Sequence, residues 1–165
     1  MKRVVVTGIG TINSTGHNVK DSFEAVVNGV CGIDTITLFD ASEFSVKIAG
    51  EVKDFDPTTV MDKKEVKKAD RFIQLGIKAA LEAMIDSGYV TQEDKKVDAS
   101  IADRFGIISG SGIGGLSTIE RNSVVCETKG SRKVSPFFIP SSLANMLSGF
   151  ISIEHNLRGP SLSHV

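Results

Sequence analysis

The sequence predicts an α/β layered fold in which strands and helices alternate along the chain. A β-branched run at residues 4–6 is typical of a buried strand, and residues 105–109 form a second apolar run of this kind. Between them, residues 63–87 carry apolar side chains at helical spacing. A chain of 165 residues is long enough for one domain with a hydrophobic core.

The first third of the chain is predicted to contain one strand, one helix and a mixed segment. The strand at residues 4–6 ends in a turn at Gly8 and Gly10. A helix is predicted after Asp21, where apolar residues recur at helical spacing. Its apolar side chains are Phe23, Val26, Val27 and Val30. Residues 45–50 alternate like a half-exposed strand.

The clearest helix is predicted over residues 63–87, and Gly88 ends it. Its apolar stripe consists of Val66, Ala69, Ile73, Ile77, Ala80, Leu81 and Met84. Residues 91–104 are polar and are expected to form a surface loop. The strand at residues 105–109 then leads through a glycine cluster into a helix from about Leu116.

The C-terminal third is predicted to contain a helix and a final strand. Ser141 and Ser142 are expected to cap a helix that runs through residue 153, because serine hydroxyls accept hydrogen bonds from the first helical N–H groups. The Gly159-Pro160 pair ends this helix, and residues 161–165 begin a strand.

The composition is that of an ordinary globular protein, with 41% hydrophobic residues and a net charge of −1. No bulk field attracts such a chain to nucleic acid or to an anionic membrane. No stretch approaches membrane-spanning length. Cys31 and Cys126 are isolated, so they suggest neither a zinc site nor a redox pair, and we expect small core residues in a reducing compartment. The sequence therefore predicts a soluble, cytoplasmic protein.

A glycine-rich pattern leaves alternatives open. Gly110, Gly112 and Gly115 satisfy G-x-G-x-x-G, which is typical of a dinucleotide-binding turn but equally of a turn that packs tightly or lines a substrate channel. A dinucleotide site also needs a second strand ending in an acidic residue, and Glu127 after residues 124–126 would leave a very short helix between. The histidines show no metal-ligand spacing, so no metal site is predicted, and each is expected at the surface or an edge. They are His17, His155 and His164.

Basic residues cluster at two places. A stripe with helical spacing begins the long helix, and a smaller pair lies on a later loop. The stripe consists of Lys63, Lys64, Lys67, Lys68 and Arg71, and the pair is Arg132-Lys133. These cations form either a solvated face or a docking patch for an acidic partner.

Five segments together resemble the N-terminal half of the beta-ketoacyl-acyl-carrier-protein synthases. They are VVVTGIG at residues 4–10, FIQ at 72–74, SGSGIGG at 109–115, SPFFIP at 135–140 and RGPS at 158–161. The resemblance implies the N-terminal half of a thiolase-like fold, a mixed sheet layered with helices, truncated before the nucleophile. It also implies that a homodimer condenses acyl thioesters with malonyl-acyl-carrier protein, with no cofactor other than the carrier's phosphopantetheine arm.

The resemblance also implies roles for particular residues. Gly112, Ile113 and Phe138 match positions at the acyl pocket, with Phe138 reaching across the dimer interface. A second group matches positions that meet the carrier protein. It consists of Lys64, Lys67, Lys68, Arg132 and Lys133. The catalytic cysteine is expected just beyond Val165, and two histidines and a lysine later still.

These expectations leave residues 1–165 without catalytic groups, so this fragment alone is expected to be inactive. Neither Cys31 nor Cys126 lies where a helix dipole could activate a thiolate. Two other functions remain open: a non-condensing or chain-length partner subunit of the same fold, and a nucleotide-binding module through residues 110–115.

Overall fold

The computed structural model describes residues 2–165 and has a mixed α/β architecture. The mixture of helices and strands is confirmed, although several helices follow one another without a strand between them. The helices are α1 (Val19–Val27), α2 (Lys63–Val66), α3 (Arg71–Asp86), α4 (Leu116–Lys129), α5 (Phe138–Ser142) and α6 (Met146–His155). The strands are β1 (Asp34–Thr35), β2 (Ile48–Ala49), β3 (Ile107–Gly110) and β4 (Ser161–His164). Short 3₁₀ turns occur at Pro57–Thr59, Ala102–Arg104 and Ser131–Lys133.

Two strand pairs form separate small sheets. β3 and β4 pair in parallel, with Ile107 opposite Ser161 and Gly110 opposite His164. A parallel pair needs a crossover connection, which here consists of α4, α5 and α6. β1 and β2 pair antiparallel at the predicted half-exposed segment. Beside them, the Lys53 ammonium donates to the Asp34 carboxylate at 2.9 Å and lowers the pKa of Asp34.

The core forms around the apolar stripe of α3. Ile73, Ile77 and Leu81 are at most 3% exposed, and α6 packs across them through Ile151 and neighbouring residues. Each such side chain contributes roughly 1.5–3 kcal/mol when removed from water. α3 and α6 therefore form the centre of the core.

The predicted helix over residues 63–87 is two helices. α2 ends at Val66 and α3 begins at Arg71. The Asp62 carboxylate caps α2 by accepting from the Lys64 N–H at 2.8 Å. Sequence periodicity missed the break because the apolar spacing continues across it. Gly88, with φ +78°, ends this region as predicted.

The strand predicted at residues 4–6 is absent from the described structure. These valines are 62–93% exposed, because the segment after them runs along α3 instead of pairing in a sheet. The Ile9 N–H donates to Asp86 at 2.9 Å, and the Thr11 N–H donates to Glu82 at 3.0 Å. A Cβ at Gly8 would collide with the Ala83 carbonyl oxygen of α3. Carboxylates on α3, and not a neighbouring strand, therefore accept hydrogen bonds from the backbone of residues 9–11.

His155 is fully buried, which contradicts the expected surface position. Its Nδ1 lies 2.7 Å from the Lys95 carbonyl oxygen, while its Nε2 has no partner in the described residues. The Val97 N–H donates to the His155 carbonyl oxygen at 2.9 Å. The loop at residues 91–104 is likewise not purely a surface loop, because Val97 and Ala102 are buried against the core.

Two smaller expectations are also wrong. Cys31 and Cys126 are exposed and are not core residues. Ser141 and Ser142 end α5 and do not cap the next helix, which begins at Met146. Helix α1 is confirmed. The four apolar side chains predicted on it are 55–68% exposed, and the last of them, Val30, follows the end of the helix.

Across the described residues, no helix has both the length and the apolarity needed to cross a bilayer.

Candidate functional site

A groove of about 470 Å³ lies between the start of α3, one face of α4 and the loop that follows α4. Four cationic side chains line it, and Asp70 is the one carboxylate among the lining residues. The cations are Lys67, Arg71, Arg121 and Lys133. This excess of positive charge suits the groove to an anionic partner.

The Asp70 carboxylate already serves the protein itself. Its Oδ2 accepts from the Thr118 N–H at 2.9 Å in the first turn of α4, and the residue is only 7% exposed. Asp70 does not cap its own helix α3. A carboxylate at a helix N-terminus interacts favourably with the helix dipole, so Asp70 stabilises the junction between α3 and α4.

Two more buried polar side chains fix the basic segments around the groove. The Ser141 hydroxyl donates to the Lys68 carbonyl oxygen at 2.6 Å, which ties α5 to the turn before α3. Asn122 accepts from the Ser135 N–H at 3.0 Å, which ties α4 to the loop after it. The groove is therefore built on an internal hydrogen-bonded frame.

The residues of the predicted basic stripe have different environments in the structure. Lys64 and Lys67 are exposed, and Lys67 shares the groove with Lys133 although 66 positions separate them in the sequence. Lys68 is half-buried: its Nζ lies 2.6 Å from Glu65 and 5.6 Å from the Phe137 ring centroid. Lys63 and Arg132 are exposed.

Arg71 leaves the stripe. Its Nη2 donates to the Val52 carbonyl oxygen at 2.8 Å, and its guanidinium lies 5.4 Å from the Phe55 ring centroid. Arg71 thus contributes charge to the groove while its hydrogen bond holds the segment before α2.

Sequence reasoning missed Arg121, which lines the groove from α4. A signal was present, because polar residues recur in this helix at positions three and four apart. They are Ser117, Thr118, Arg121 and Asn122. The glycine cluster drew attention to the turn before the helix instead of to this face.

The glycine cluster packs tightly at Gly114 and Gly115, and the structure does not support a dinucleotide site there. The N-terminus of α4, where a phosphate would bind, is occupied by the Asp70 carboxylate. Residues 124–127 lie inside α4, so the second strand that a dinucleotide fold requires does not follow. Gly115 instead donates its N–H to the Ser142 carbonyl oxygen at 2.9 Å, and a Cβ there would lie 2.9 Å from the Ser142 Cα.

The three residues predicted at the acyl pocket lie on an open side of the chain. A Cβ added at Gly112 would have no neighbour within 4 Å, and Ile113 is 63% exposed. Phe138 begins α5 and is half-buried. Their role at the acyl pocket stays a prediction. Among residues 2–165, no three His, Cys, Asp or Glu side chains are grouped so as to hold a metal ion.

Comparison with known proteins places the chain in a family. The family model described as "Beta-ketoacyl synthase, N-terminal domain" matches residues 1–165. The chain belongs to the beta-ketoacyl synthase family. It is 44% identical to 3-oxoacyl-[acyl-carrier-protein] synthase 2 of Coxiella burnetii over 99% of this chain, and 47% identical to the Vibrio harveyi protein of that name over 98%. In both cases it spans 38% of the relative's length.

Solved ketosynthases share the fold. The ishigamide ketosynthase/chain length factor superposes with a TM-score of 0.79 at 28% identity, over 99% of this chain and 39% of that one. This likeness confirms the thiolase-like fold predicted from the sequence, over its N-terminal part.

The hydrogen bond from the Thr118 N–H to Asp70 predicts that two substitutions of Asp70 lower stability by different amounts. Asp70→Ala should lower the free energy of unfolding by about 1–3 kcal/mol, because the buried Thr118 N–H loses its acceptor. Asp70→Asn should cost only about 0.3–1 kcal/mol, because an amide oxygen still accepts while the charge at the helix terminus is lost. Urea unfolding of each variant at neutral pH measures these changes in the free energy of unfolding.

Asp103→Ala is the matched control, since Asp103 is exposed, and it should change stability by less than about 0.5 kcal/mol. Equal costs for the two Asp70 variants would show that a neutral acceptor does not replace the carboxylate, whereas an Asp70→Asn variant as stable as the wild type would show that the charge contributes nothing at this helix terminus.

Proposed function

We propose that these residues are the N-terminal part of a 3-oxoacyl-[acyl-carrier-protein] synthase that elongates fatty acyl chains. The observation that carries the proposal is the identity of 44–47% to synthases of that name over almost the whole chain. In the proposed reaction, a cysteine thiolate takes the acyl group from one carrier thioester. Malonyl-acyl-carrier protein then loses carbon dioxide, and its nascent carbanion attacks the acyl carbon and expels the thiolate.

A condensing enzyme is favoured over a non-condensing partner subunit of the same fold. The relatives at 44–47% identity are named synthases, whereas the solved structure whose name includes a chain length factor is 28% identical. The residue at the nucleophile position distinguishes the two functions, because the acyl group must be carried on a nucleophilic side chain there.

Within this reaction, the described residues supply carrier recognition. We infer that Lys64, Lys67, Lys68, Arg132 and Lys133 form one docking face for an acidic acyl-carrier protein and the base of its phosphopantetheine arm. The groove geometry supports this, since Lys67 and Lys133 line one cavity. Opposite charge steers the encounter and aligns the partners, with an effect that falls as salt rises.

We also propose that Gly112, Ile113 and Phe138 contribute to the acyl pocket. An apolar side chain that is 63% exposed beside a glycine turn, as Ile113 is, suits a pocket wall that other residues complete. No further cofactor is needed in this proposal, because the acyl groups arrive on the carrier's arm. Consistent with such substrates, we propose a cytoplasmic location.

A homodimer is proposed around β4 and the Phe137-Phe138 segment. Within residues 2–165, β4 pairs only with β3, so its other edge presents free backbone groups. Leu162 on this strand is 53% exposed, and Phe137 is 42% exposed. A two-fold axis beside such an edge would pair the two β4 strands.

Activity is the direct test of the proposed reaction. The full-length protein should convert an acyl-carrier thioester and malonyl-acyl-carrier protein into the 3-oxoacyl product, followed by mass spectrometry. Residues 1–165 alone should not, because the expected cysteine, histidines and lysine lie beyond Val165 and act as a unit. The control is the full-length protein with the expected cysteine replaced by alanine. Product from residues 1–165 at the full-length rate would contradict the assignment of these roles.

Charge reversal tests the docking face. Lys67→Glu with Lys133→Glu should weaken carrier-protein binding by full-length protein about three- to tenfold and flatten its salt dependence, since each exposed ion pair is worth only about 0.2–1 kcal/mol. A salt-series titration measures both. The control, Lys20→Glu with Lys96→Glu, makes the same change in net charge at exposed lysines on other elements. Equal weakening in both double variants would mean that only net charge matters.

Light scattering tests the homodimer. The full-length protein should have the mass of two chains at micromolar concentration, and Phe137→Asp should shift it towards one chain by placing a charge in the apolar contact. Phe39→Asp is the matched control at another exposed phenylalanine, 54% exposed on the loop after β1. A monodisperse wild-type monomer is the result that rules this interface out.

A further inference from the structure

The loop that carries Arg132 and Lys133 is only lightly held. It follows α4 directly and consists of the 3₁₀ turn Ser131–Lys133 and the residues on either side. One backbone bond, from the Gly130 N–H to the Cys126 carbonyl oxygen at 3.1 Å, continues the helix into it. Of its side chains, only that of Val134 is partly buried, and the others are exposed. Such a short exposed loop would be free to move unless another contact fixed it.

Asn122 supplies that contact. Its Oδ1 accepts from the Ser135 N–H at 3.0 Å, and in residues 2–165 this is the one side-chain hydrogen bond between residues 130–135 and α4. Its Nδ2 donates to the Thr118 carbonyl oxygen at 2.8 Å, which fixes the orientation of the amide. Asn122 is only 8% exposed, so water competes little for these bonds.

The contact continues to the other side of the groove. Thr118, whose carbonyl oxygen holds Asn122, is itself held through its N–H by Asp70, immediately before α3. Lys67 lies three positions before Asp70, and Lys133 lies two positions before Ser135. A chain of buried polar groups therefore links the backbone near one groove lysine to the backbone near the other.

We propose that Asn122 is a positioning residue that holds Lys133 opposite Lys67 and thereby raises the affinity for an acidic partner. This rests on the proposed function, in which that partner is the acyl-carrier protein. Asn122 itself has no charge to offer the partner. It acts because a loop fixed in the free protein does not have to be ordered on binding, so the conformational entropy of that ordering is not lost when the partner binds.

The first experiment compares neighbouring residues of α4 in the full-length protein. Asn122→Ala should weaken carrier-protein binding about two- to tenfold. Ser123→Ala should leave it unchanged, because the Ser123 hydroxyl also bonds a carbonyl oxygen one turn back, that of Ile119 at 2.8 Å, but does not reach the loop. Hydrogen exchange of the Ser135 amide should accelerate in Asn122→Ala alone. Unchanged exchange would overturn the proposal.

Double-mutant cycles separate positioning from general loss of stability. Once Lys133→Met removes the positioned charge, Asn122→Ala should cost less affinity than it does in the wild-type background. Lys64→Met, on α2 and outside the loop, should show additive effects with Asn122→Ala. Additivity in both cycles would overturn the inference.

A further variant and two further binding results distinguish failure of this inference from failure of the proposed function. If Asn122→Ala does not fold, Ser135→Pro removes the amide donor while leaving Asn122 intact and should give the same loss of affinity. A wild-type protein with no affinity for carrier protein would overturn the proposed docking function and this inference together. Normal wild-type binding that weakens on charge reversal, but not in Asn122→Ala, would overturn the inference alone.

Discussion

One buried carboxylate constrains the whole basic side of this domain. Asp70 lies where α2 has ended and α3 begins, yet its Oδ2 accepts from the Thr118 N–H of α4 rather than from its own helix. This bond joins the residue before α3 to the first turn of α4. It also neutralises the helix terminus from inside, so external anions meet the lysine and arginine side chains of the groove and not the helix dipole.

A second constraint is the close approach of the N-terminal segment to α3. Glu82 accepts from the backbone N–H groups of both Thr11 and Val19, so one carboxylate positions the turn and the start of α1 together. Residues 4–6 are exposed, as are Ile108 on β3 and Leu162 on β4. Parallel strands are usually covered on both faces. In the proposed synthase, the remaining part of the enzyme would cover residues 4–6 and Ile108, and the second subunit would cover Leu162.

The sequence predicted the elements with strong local signals and missed those set by distant contacts. The α3 stripe, the Gly88 stop, the β3 strand and the start of α4 were foreseeable from periodicity and glycine placement. The break at residues 67–70 was not, because apolar spacing continues through it while Asp70 is drawn towards α4. Burial of His155 depends on the Lys95 carbonyl oxygen, 60 positions away, which no local pattern encodes. Family resemblance, rather than spacing, is the basis on which a docking face is predicted for the basic residues.

The groove shows why charge alone would make a poor docking site. Lysine side chains are long and strongly hydrated, so bringing two of them towards one partner costs conformational entropy as well as mutual repulsion. The structure offsets part of this cost before any partner arrives. Ser141 fixes the backbone at Lys68, Asn122 fixes the loop of Lys133, and Asp70 joins the two. The polar groups that do this are buried, so they keep their strength in salt, whereas the attraction of the exposed lysines is screened. Buried polar residues thus supply the geometry of the groove, and exposed lysines supply the long-range attraction. Substitutions can separate the two effects.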